Sequence, residues 1–176
     1  PVITITGGDI AHEQGTPYTD LGATALDNID GDITSLITVE SDVDSDTAGT
    51  YTVIYSVSDS SGNSADQKTR TVVVSDTTKP VITITGGDIA HEQGTPYTDL
   101  GATALDNIDG DITSSIVTIN NVDIYTVGTY SVTYNVSDAA GNAADEVTRT
   151  VNITPDVTKP VITITGGDIA HEQGTP

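Results

Sequence analysis

Residues 25–34, ALDNIDGDIT, crowd three aspartates and an asparagine into six positions, Asp27, Asn28, Asp30 and Asp32, around Gly31. The same ten letters return at residues 104–113, with Asp106, Asp109 and Asp111. Oxygen-bearing side chains packed this closely have two uses. They hold a hard cation such as Ca2+, or they bond their own backbone as turn formers. An EF-hand loop needs a glycine in sixth place and a glutamate in twelfth. Counted from Asp27, the glycine is fifth and the twelfth residue is Thr38, so this is a different kind of loop.

Other reactive side chains are sparse. His12, His91 and His171 each precede a glutamate in HEQG, and neighbours on a strand point to opposite faces, so they form no dyad. One histidine per repeat without any cysteine is a poor zinc set. No Gly-x-Ser-x-Gly elbow is present, and no catalytic residue is assigned. The sequons at Asn135 and Asn152 have no counterpart in the first repeat, where Ser56 and Val73 stand.

The charge balance narrows the partners. Acidic residues outnumber basic ones 26 to 5, for a net charge of −21, and most of the acids are aspartate, a turn former. Phosphate backbones and anionic membrane surfaces would be repelled, which excludes nucleic acid and basic-patch membrane binding. No apolar run is long enough to span a bilayer.

Repetition sets the architecture. The stretch PVITITGGDIAHEQGTP begins at Pro1, at Pro80 and again at Pro160. The expected organisation is a first repeat over 1–76, a connector over 77–79, a second repeat over 80–156, a connector over 157–159 and the opening of a third repeat over 160–176. Period-two alternation places Ile3, Ile5, Tyr51, Val53, Tyr55 and Val57 on inward faces. Their equivalents are Ile82, Ile84, Tyr130, Val132, Tyr134 and Val136. Glycine-rich turns separate about seven short strands per repeat, which predicts an all-β sandwich. The lone strand at 161–165 should either lack order or pair with another unit, and the parent protein is expected to continue at both ends.

The ordered motifs PVITI, YTDLGA, ALDNIDGDIT, GTY and Asp-x-x-Gly-Asn together resemble a bacterial immunoglobulin-like surface domain. The resemblance implies tandem antiparallel sandwiches lying end to end in a secreted or cell-surface protein, many such proteins being adhesins. In that topology the aspartate turn and the loop Asp59–Asn63 share one end of a unit, beside the incoming connector. The candidate cation ligands are therefore Asp27, Asp30, Asp32, Asp59 and Asn63 in the first repeat. In the second they are Asp106, Asp109, Asp111, Asp138 and Asn142, with Asp76 and Asp156 from the connectors.

The expected function is a stalk, spacer or filament outside the cell, stiffened by Ca2+ at the domain junctions and not an enzyme. Its partners would be neighbouring repeats or other copies in a filament. The alternative is a module binding a glycan or protein ligand. For that reading Tyr125, the aromatic unique to the second repeat, is the residue to watch.

Overall fold

The computed structural model describes residues 1–165. Each repeat folds into seven strands. In the first they are β1 (Val2–Ile5), β2 (Ile10–Glu13), β3 (Ala23–Asp27), β4 (Gly31–Asp32), β5 (Thr38–Ser41), β6 (Gly49–Ser56) and β7 (Lys68–Ser75). The second repeats the order with β8 (Val81–Ile84), β9 (Ile89–Glu92), β10 (Ala102–Asp106), β11 (Gly110–Asp111), β12 (Val117–Asn120), β13 (Gly128–Asn135) and β14 (Val147–Thr154). A single 3-10 turn, Thr34–Leu36 or Thr113–Ser115, is the helical content of each described unit.

A three-stranded sheet, β1-β3-β4, faces a four-stranded one, β2-β7-β6-β5, and the second unit copies this arrangement. Pairing is antiparallel except for one pair per unit, where β2 runs parallel to β7 and β9 parallel to β14. Antiparallel pairing is thus broken once in each unit, for a local reason. Gly7 and Gly8 adopt φ of 84° and 72°, a region open to glycine, and carry the chain from the first sheet across to the second. Strands β1 and β2 are two pieces of one extended segment shared between sheets.

The alternation read from sequence matches the core. Ile3, Val53, Tyr55 and Val57 are buried with Ala25, Ile33, Val72 and Val74, and Ile5 and Tyr51 pack against them. The second unit has its own core around Ile82, Val132, Tyr134, Val136, Val151 and Ile153. Two cores mean two units able to hold their own shape.

Each core also encloses an arginine that the alternation alone does not announce. Arg70 and Arg149 are fully buried. Arg70 donates to the carbonyls of Gly8 (2.9 Å), Gly22 (3.1 Å) and Thr6, and to the carboxylate of Asp20. Asp20 also accepts from Tyr55 (2.8 Å) and Tyr18 (3.1 Å). Burial opposes ionisation of Asp20, but Tyr55, the Gly22 amide, Tyr18 and the guanidinium outweigh it and hold its pKa below the usual carboxylate value. Arg149, Asp99, Tyr134 and Tyr97 repeat the network. A β7 side chain thereby ties the four-stranded sheet to the loops leaving β1 and preceding β3.

Val161–Thr165 join no strand, and Val161, Ile162 and Ile164 are exposed. The remainder of the third repeat opening, 166–176, lies outside the described residues.

Candidate metal centre

Where the two units meet, three carboxylates converge. Asp76 follows the last strand of the first unit, Asp106 ends β10, and Asp138 opens the loop between β13 and β14. One oxygen from each lies within 4.8 Å of the others. Asp76 and Asp138 are buried, at 9% and 8% exposure. At an effective dielectric near 20, each pair of such charges repels by about 3–4 kcal/mol.

The local hydrogen bonds hold these groups in place without neutralising them. Asp106 Oδ2 accepts from the amides of Ile108 (2.8 Å) and Asp109 (3.0 Å). Its Oδ1 is buried and has no hydrogen-bond partner, the sole such side-chain atom among the described residues. Asp138 accepts from the Asn142 amide at 2.7 Å and from Asn142 Nδ2 at 2.8 Å. Burial works against its charge, but these donors prevail and its pKa is lowered. Asp76 accepts a single bond, from the Thr78 amide at 3.1 Å. Its pKa is raised, first by burial and then by Asp106, Asp138 and Glu13, with the Thr78 amide opposing.

A buried carboxylate oxygen without a donor costs about 1–3 kcal/mol or more. The donor set is all oxygen, and a cation with Ca–O bonds of about 2.3–2.6 Å reaches oxygens separated by this distance. Asp76, Asp106 and Asp138 are the residues that would hold a calcium ion here. The nearby lysine is engaged elsewhere, Lys79 Nζ being 2.9 Å from Asp145.

The other sequence candidates have different partners. Asp109 accepts from the Ala139 amide at 2.6 Å, clamping one loop of this end to the other. Asp111 caps Thr113, whose hydroxyl and amide lower its pKa. Asn142 donates to Asp138 and, across the junction, to the Asp76 carbonyl at 3.2 Å.

The first unit shows the same division of labour. Asp30 accepts from Ser60, Asp32 from Thr34, and Asp59 from Asn63. Asp27, the counterpart of Asp106, accepts from the amides of Ile29 (2.8 Å) and Asp30 (3.1 Å). Its pKa is lowered, chiefly by these two amides. Asp156 accepts from the Thr158 amide at 2.8 Å and belongs to no group of three converging carboxylates among the described residues.

Sequence reading missed the grip on the connector. Glu13 at the end of β2 accepts from the amides and hydroxyls of Thr77 and Thr78. The two hydroxyls contribute most to lowering its pKa to about 2. Glu92 treats Val157 and Thr158 in the same way. The HEQG motif carried the signal, but its partners lie more than sixty residues away in the chain.

Comparison with known proteins gives this architecture a family. The family described as "Bacterial surface protein, Ig-like domain" matches residues 3–74 and again 82–153. The chain belongs to that family. Pesticidal crystal protein Cry22Aa of Bacillus thuringiensis is 37% identical over 81% of this chain. The C protein alpha-antigen of Streptococcus agalactiae is 34% identical over 97% of it. The chain spans 21% and 17% of those relatives' lengths. Among solved structures, the M60 catalytic domain with two CBM51 domains from Clostridium perfringens ZmpB aligns with a TM-score of 0.56 at 14% identity. It covers 88% of this chain and 31% of its own, a likeness of fold. These are tandem Ig-like domains of a bacterial surface protein family, and no described helix is long and apolar enough to cross a membrane.

Proposed function

We propose that the chain is a non-enzymatic spacer segment of an extracellular adhesin stalk or filament, whose domain junction is locked by one calcium ion. The observation that carries this reading is the buried, donorless Asp106 Oδ1 beside the buried carboxylates of Asp76 and Asp138. Asp76 belongs to one unit and the other two residues to the next, so an ion bound there spans the boundary. Glu13 and the proline at position 80 already restrict the connector, and the ion adds the remaining restraint.

Titration calorimetry is the direct test, with about one calcium per chain expected on the spacer reading. Small-angle scattering on the same samples should show a narrower distribution of interdomain angles with calcium than with chelator. No heat of binding and unchanged scattering would return all three aspartates to turn and loop chemistry. The alternative glycan- or protein-binding module rests on Tyr125, which is 73% exposed. A glycan-array signal lost in Tyr125→Ala would establish it instead.

A further inference from the structure

The two units differ along one lateral edge. Strand β12 is outermost in its four-stranded sheet, as β5 is in the first unit, and every residue of both strands is exposed. Neighbouring units do not account for this exposure. β5 is open although a unit follows it, and β12 is open although a unit precedes it.

The sequence treats the two edges in opposite ways. Thr38, Glu40 and Asp42 of the first unit become Val117, Ile119 and Asn121 in the second. Between Asp111 and Asp123 no charged residue remains, in a chain of net charge −21. Charges on an edge strand keep it from pairing with another strand, so β5 is protected and β12 has lost that protection. Thr118 and Asn120 stand opposite the buried Tyr134 and Val132, which puts Val117 and Ile119 on the outer face of the sheet. They are 62% and 50% exposed. The Asn121 amide donates to the Ser131 carbonyl at 3.3 Å. By antiparallel alternation Ile119 and Val117 also bond to β13, while Thr118 and Asn120 turn their amides and carbonyls outward.

We propose that β12 pairs with β12 of a second copy of this chain, antiparallel about a two-fold axis at Thr118. The occupant follows from the edge itself. Opposed residues on antiparallel strands share a face, so Val117 meets Ile119 of the other copy and Thr118 meets Thr118. The outward backbone groups of Thr118 are then the ones that exchange hydrogen bonds across the axis. Two chains of charge −21 repel, and an uncharged edge is where they approach at least cost. Such a contact is isologous and closes at a dimer. Four-residue strands bury less than a standard interface, so a dissociation constant on the order of 1 mM is expected. Salt should tighten it by screening the repulsion. The inference does not rest on the calcium-locked spacer reading, since it uses none of the junction carboxylates.

Sedimentation equilibrium of the full chain up to about 1 mM, in added salt, tests the idea. The mean mass should rise from monomer toward dimer and no further. Ile119→Glu places at this edge the residue that the first unit carries there as Glu40, so the fold tolerates it. It should weaken association at least about tenfold, the effect of losing a central apolar anchor. The chain has no cysteine, so Thr118→Cys adds a single thiol at the axis. Mild oxidation should link it into a disulfide dimer, and Val39→Cys, its counterpart on the charged edge, should yield far less. A monomeric mass throughout, growth beyond a dimer, association indifferent to Ile119→Glu, or equal crosslinking of the two cysteine variants overturns the proposal.

Discussion

At the residue scale, the aspartates of one short turn divide into two kinds. Asp106 keeps one buried oxygen without a donor beside Asp76 and Asp138, whereas Asp109 and Asp111 spend theirs on nearby amides. Asp106→Asn or Asp138→Asn should therefore abolish the calcium-dependent rise in melting temperature. Asp111→Ala should leave that rise intact while lowering the baseline. A melting series of the variants with and without calcium separates the two kinds. The buried arginine gives a second prediction. Arg149→Ala strands Asp99 in the second core and should destabilise that unit by about 3–5 kcal/mol. Denaturant unfolding should then split, with the first unit's transition unmoved.

At the scale of elements, Glu13 ties the end of β2 to the connector that follows β7. Its folded pKa of about 2 lies below the ordinary 4.5, so the stabilisation is fully present above about pH 4.5. It is lost as pH falls from there through about 2. Glu13→Gln should flatten that limb of a melting-versus-pH curve, and an unchanged curve would remove the connector grip from the account. The strands themselves were legible in sequence, because a face repeating every second residue has no other use in a half-buried sheet. Ile3, Val53 and Tyr55 were found that way. The meeting of Asp76 with Asp106 and Asp138 was also legible, since sandwich topology brings those loops to one end. Spacing reports that charge is near, not where each carboxylate points, so it could not separate Asp109 and Asp111 from the three carboxylates that converge. Arg70 and Glu13 were not legible because their partners, such as Gly8 and Thr77, lie some sixty residues off in the chain.

On the scale of the whole molecule, two separate cores joined by a restricted connector make orientation, not folding, the adjustable quantity. Removing calcium should broaden the scattering-derived angle distribution while both units keep their far-ultraviolet dichroism. Saturating the site at about a hundredfold excess over its dissociation constant would add about 2.7 kcal/mol to the assembled junction. Loss of dichroism on chelation would mean instead that the ion holds up a unit.

The parallel pair formed by β2 and β7 bears on how such a segment would carry a load. Tension along the chain draws β2 by its leading end and β7 by its trailing end, in opposite directions along neighbouring strands. The registered rungs from Ile10–Val72 to Glu13–Ser75 are then sheared together, not opened one after another. Pulled by its ends in single-molecule force spectroscopy, each unit should resist until these rungs fail as a group, at forces set by the barrier to unfolding and not by equilibrium stability. A proline at Val73, removing a rung, should lower that rupture force more than one in β5, which the line of pull does not cross.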